Sequence, residues 1–208
     1  MRAANYDEGT IRMLPLTLGL LLFFAVHLVP TSPSLRQGLS DRFGESAYKI
    51  GFSILSLVAF VLIVLGYHKL QLMPGKNPVL WDPPSWTRHI AFLLMLPAMI
   101  LLVAAFVPSR IRTAAKHPML AAIKAWALSH LLVNGDLGSL VLFGGFLAFA
   151  VYDRISMKRR PVTPSAATAP PAAINDVIVV VGGLALYAFM MIWGHGALIG
   201  VPLVSFAP

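Results

Sequence analysis

Six stretches of this chain are apolar for long enough that water is the wrong solvent for them. A helix rises 1.5 Å per residue and needs about 20 apolar residues to cross a hydrocarbon core about 30 Å thick. Segments 14–30, 50–67, 90–107, 118–133, 137–151 and 177–204 approach that length. The chain has 208 residues, 58% hydrophobic and 12% charged. A soluble fold of that size would lack a polar shell to cover so much apolar surface. The sequence therefore predicts an all-α, polytopic membrane helix bundle of about six transmembrane helices, forming one domain.

The boundaries carry further expectations. The fourth and fifth spans are short, and Asn134-Gly135-Asp136 between them reads as a tight turn. Pro97 falls mid-span in the third helix, where it removes one backbone hydrogen bond and predicts a kink. Gly144-Gly145 and Gly182-Gly183 suit close helix packing. Trp193-Gly194-His195-Gly196 predicts a helix end near residue 193, with the tail at the interface. Asp7 and Glu8 flank the first span and no A-x-A-like site follows it, so it reads as an uncleaved helix. Segment 160–173, rich in Pro, Ala, Ser and Thr, reads as a flexible linker.

The formal charge is +8, but its distribution points to membrane loops rather than to nucleic acid. The odd-numbered loops hold ten basic residues: Arg36, Arg42, Lys49, Arg110, Arg112, Lys116, Arg154, Lys158, Arg159 and Arg160. The other side holds five: Arg2, Arg12, Lys69, Lys76 and Arg88. The positive-inside rule then places the odd loops in the cytoplasm and both termini outside, which is the periplasm where the membrane is a bacterial inner (cytoplasmic) one. The basic loops also suit contact with anionic headgroups of the lipid bilayer.

Ionisable groups inside a span are costly and point to function. Three occur: His27 in the first span, and Lys124 and His130 in the fourth. The stem of Lys124 is long enough to snorkel. Imidazole is a common ligand for haem iron and other transition metals. His130 shares a helix face with Trp126 at i−4 and Asn134 at i+4. The same pattern also suits histidines that only hydrogen-bond a backbone carbonyl or a side chain. His68 and His89 flank spans, His117 opens the fourth beside Pro118, and His195 sits between glycines. The absence of cysteine excludes disulfides, Fe–S ligation, thiolate-bound zinc and covalent haem attachment. No H-E-x-x-H, Walker A, G-x-G-x-x-G or G-x-S-x-G pattern occurs. No acidic residue lies inside a span and the halves show no repeat, so a transporter ranks last.

Several stretches carry a resemblance. They are 26–35 (VHLVPTSPSL), 81–89 (WDPPSWTRH), 116–120 (KHPML), 126–136 (WALSHLLVNGD), 153–160 (DRISMKRR) and 195–202 (HGALIGVP). Together they resemble the NnrU family of bacterial membrane proteins over roughly residues 13–204. The resemblance implies a role associated with nitrite and nitric oxide reduction, or denitrification. One form of that role is a non-catalytic accessory factor for a respiratory reductase partner. The family is also similar to zeta-carotene isomerase, which isomerises a polyene double bond with a haem b held by two histidines. By that similarity His27 and His130 are the implied axial ligands of haem iron, and the chain could be isomerase-like. The isomerase has a cysteine three residues before its second histidine, and here that position is Ala127.

The expected spans run in opposite directions. His27 and His130 then differ in depth by roughly 11 Å across a core of about 30 Å. That difference suits a haem lying nearly parallel to the membrane. His117 is nearer in depth to His27 and competes with His130 as its partner ligand. Trp126 and Asn134, on the His130 face, are the expected surrounding residues.

Overall fold

Helices account for nearly all the regular structure in the computed structural model, which describes residues 4–73, 77–159 and 172–204. These residues fall into two units. The first takes in Met1–Pro78 with Leu198–Val201, and the second Val79–Ala197 with Pro202–Pro208.

In the first unit, α1 (Ala4–Leu28) runs into a single 3-10 turn, Val29–Thr31. Then come α2 (Pro33–Phe43) and α3 (Glu45–Gln71). The short helix α2 is polar in composition and buries none of its side chains. Pro33 at its first position suits a helix start, because that N–H has no intrahelical partner in any case. Gly44, at φ +85, ends it in a conformation that other residues adopt only with strain. Glu45 then opens α3 and accepts hydrogen bonds from Arg36 and Ser40.

The α1–α3 pair is held by close backbone approach. A Cβ on Gly19 would stand 2.8 Å from the Ile63 nitrogen, and one on Gly66 would meet the backbone of Leu16. Leu16 and Ala59 are fully buried in the resulting seam. The sequence singled out other glycines, and neither of these.

The second unit contains α4 (Thr87–Ala104), α5 (Arg110–Ala115), α6 (Pro118–Leu131), α7 (Leu137–Arg159) and α8 (Ala173–Phe189). A π-helical turn, Met190–Gly194, leads on into α9 (His195–Ile199). Helix α4 continues through Pro97. Of the two expected glycine pairs, the second makes such a contact. Gly183 lies against the backbone of Ile100, where a Cβ would come within 2.6 Å of its Cα. Gly144 has only the Leu140 side chain within reach of such a Cβ, so no helix approaches it closely.

One end of this unit is tied by polar contacts. The Arg110 amide donates to Asp176 at 2.7 Å, and Asn175 donates to the Pro108 carbonyl at 2.7 Å. Asp153 and Arg154 lie close enough to His117 to act on its charge. The starts of α5, α6 and α8 and the end of α7 therefore gather at one end. Basic groups of the third and fifth expected loops share that end.

Five helical segments are long and apolar enough to cross a membrane: Met13–Thr31, Glu45–Gln71, Thr87–Ala104, Leu137–Arg159 and Ala173–Ile199. Leu21, Leu57, Leu93 and Val181 on these segments are exposed, as side chains that meet lipid should be. The chain is an integral membrane protein. The expected span at 118–133 is the 14-residue helix α6, about 21 Å long and too short to cross unaided. The fifth is longer than its apolar run, since Tyr152–Arg159 continue the same helix. The final helix does not end near residue 193. It passes through the π turn to Ile199 and stops before Gly200, at φ +80. Residues 160–171 of the expected linker lie outside the described residues, and Ala173 already begins α8.

Gly66→Ala should lower the stability of the purified protein by about 1–3 kcal/mol, because the backbone of Leu16 cannot yield cheaply. Gly38→Ala, with open space around it, should be neutral or slightly stabilising. Thermal unfolding in detergent compares the two, and equal midpoints would refute the close-approach account.

Candidate functional site

Helix α6 places its polar stripe in the second unit. The Trp126 carbonyl accepts from His130 Nδ1 at 2.8 Å and from Ser129 Oγ at 2.8 Å. Asn134 Nδ2 donates to the His130 carbonyl at 2.9 Å, taking up a group left over at the helix end. The expected stripe of Trp126, His130 and Asn134 is therefore one connected set. With Nδ1 donating its proton, Nε2 carries the ring's lone pair, which is the state a metal-ligating imidazole needs. The same bond would also satisfy a histidine with no ligand.

Aromatic rings surround this imidazole. His130 stacks on Phe143 with centroids 4.4 Å apart. Trp126 meets His130 at 5.4 Å, and Phe143 and Phe146 edge-on at 4.9 and 5.5 Å. The ring of His195 lies 6.3 Å from that of His130, with planes 15° apart. Phe143, Phe146 and His195 were not legible as site residues. Phe143 and Phe146 look like ordinary span residues. The only signal for His195 is its place in the HGALIGVP stretch.

The turn after α6 holds the site's outer edge. Gly135 is buried, and its carbonyl accepts from the amides of Leu80 at 2.7 Å and Trp81 at 3.2 Å. A Cβ on Gly135 would run into the Trp81 carbonyl. Asp136 caps α7 by accepting from the Ser139 amide at 2.8 Å and from its hydroxyl at 2.6 Å. Asn134-Gly135-Asp136 is thus less a simple turn than three separate anchors.

His27 lies in the first unit. Its Nδ1 donates to the Phe23 carbonyl at 2.9 Å, the same i−4 bond that His130 makes. Its ring stacks on Phe23 at 3.8 Å and meets Phe52 at 5.1 Å. Phe52 also lines an apolar cavity of about 360 Å³ with Val26, Leu39, Phe43 and Tyr48. His68 Nδ1 donates to the Leu198 carbonyl at 3.0 Å.

His117 is set apart from His130. It caps the start of α6, while His130 lies in the last turn, about 20 Å along the axis. The two do not ligate together. Lys124 lies between them, half-buried. Ala127, where the isomerase has its cysteine, is fully buried. Among the described residues, no three of His, Asp or Glu come together as a cluster that could hold a metal ion. The donor set that remains is imidazole in one or two copies. That set fits haem, whose ring nitrogens supply the other four donors.

A membrane helix bundle with part-buried, carbonyl-anchored imidazoles defines the class of protein. The family model described as NnrU protein matches residues 15–203, and the chain belongs to the NnrU family. No curated protein and no solved structure matches it.

Burial holds the pKa of His117 below the usual histidine value of 6.5, with Arg154, Lys116 and Lys124 adding to the effect and Asp153 opposing it. A depressed folded-state pKa means that the unfolded chain binds more protons as the pH falls through 6.5. Stability from this group is therefore present above 6.5 and lost below it. The unfolding midpoint should drop between pH 7.5 and 5.5, and His117→Gln should flatten that drop. An identical pH profile in the variant would refute it.

Proposed function

We propose that this NnrU-family chain holds haem b within the bacterial inner membrane through His130 and takes part in nitrite and nitric oxide reduction, beside a respiratory reductase. The observation that carries the reading is the part-buried His130 imidazole, fixed on the Trp126 carbonyl and packed against Trp126 and Phe143, with Phe146 edge-on to Trp126. Aromatic walls of this kind exclude water and suit the face of a flat, apolar macrocycle. Bound there, the group would supply a redox-active iron whose axial positions imidazole can fill. His27 offers the same anchored imidazole in the first unit and is the ligand that the family resemblance supplies. Ala127 provides no thiolate to exchange with His130. That favours stable haem holding over isomerase chemistry.

Sidedness belongs to the same proposal. Arg110, Lys116 and Arg154 cluster at one end of the second unit, and the positive-inside rule assigns that end to the cytoplasm.

The test is the absorption spectrum of the purified full chain, expressed with ample haem supply. A Soret band is expected, and His130→Ala should cut the haem-to-protein ratio to under about a tenth. A wild-type protein without the band would overturn the reading.

A further inference from the structure

The geometry points to His195 as the second imidazole of the His130 site, the two rings gripping one transition-metal ion between them. This rests on the haem reading if the ion is haem iron, and stands without it if the ion is bare.

The spacing is the first argument. Two imidazoles on opposite sides of one ion, each nitrogen at about 2 Å from the metal, place their ring centroids roughly 6 Å apart. The His130 and His195 centroids are 6.3 Å apart and their planes are parallel to within 15°. Ordinary stacked rings sit closer, as His130 and Phe143 do at 4.4 Å.

The backbone before His195 is the second argument. The π-helical turn Met190–Gly194 ends on the residue preceding it. A π turn adds a residue to the helix, so the side chains after it are rotated by about 100° relative to an unbroken α-helix. Such turns collect at functional sites. Gly194 packs tightly in this turn, since a Cβ there would stand 2.7 Å from both the Met190 sulfur and the Phe189 ring. The chain thus gives up regular helix one step before the residue that faces His130.

The donor inventory is the third. With no cluster of three His, Asp or Glu among the described residues, the two imidazoles are what those residue types offer an ion here. Two axial nitrogens complete haem iron, whereas a bare ion would have to take its remaining ligands from water.

The experiment uses the full-length protein purified with haem, and His27→Ala, His130→Ala and His195→Ala variants. Absorption and EPR spectra report the spin state. The wild type should be low-spin. His130→Ala and His195→Ala should lose the low-spin signal, and His27→Ala should keep it. Added imidazole should restore the signal to His195→Ala, which a mere folding defect would not allow. A low-spin spectrum retained in His195→Ala but lost in His27→Ala would overturn this pairing and leave the haem reading intact. If the wild type carries no haem, the chain is titrated with Co(II) chloride. One equivalent bound in the wild type and none in His195→Ala would sustain the site as a bare-ion centre. No binding in either would overturn both.

Discussion

Inside hydrocarbon, every backbone N–H and C=O has to find its partner within the chain, and the rest of this structure follows from that. The segments that meet lipid are helices, which satisfy their own backbone. Where a helix must end or bend, another group takes up the released carbonyl or amide. Asn134 does so for α6, Asp136 for α7 and the Leu80 amide for the turn between them. His27 and His130 meet the same constraint by donating to the carbonyl four residues back.

Lipid offers no hydrophobic drive between helices, so their association depends on how closely backbones approach. Gly19 and Gly66 provide that approach in the first unit and Gly183 provides it in the second. These contacts fix where α1 lies on α3 and α8 on α4. They thereby fix where His27 meets Phe52 and how α8 enters the π turn before His195.

Much of the fold was legible because apolar length and helical span are the same physical quantity. Five of the six expected crossings follow directly. The short α6 was legible as a segment, but its length was overestimated, because hydropathy extends through Val133 while the helix stops at Leu131. The end of α7 was underestimated for the opposite reason: Asp153–Arg159 carry four charged side chains yet stay helical. Close-packed glycines were half legible. A Gly-Gly pair is easy to see, but which helix face meets a neighbour is a tertiary fact, so Gly182-Gly183 was found while Gly19 and Gly66 went unnoticed.

At the site, the Trp126–His130–Asn134 stripe was readable because i, i+4 spacing sets one helix face. His195 was not. Its aim depends on a π turn, which has no simple residue signature, and on the packing of Gly194. The two glycines around it suggested a helix end, yet the helix continues.

The shortness of α6 has a consequence for how the protein is made. A 14-residue segment carrying Lys124 and His130 is a poor substrate for insertion by itself. A lysine near the centre of an isolated span costs about 3 kcal/mol, against a few tenths gained from each leucine. Entry of α6 into a bilayer therefore calls for pairing with α7, as a helical hairpin that closes around Gly135. Translation must already have passed well into α7 before the His130 face of α6 leaves water.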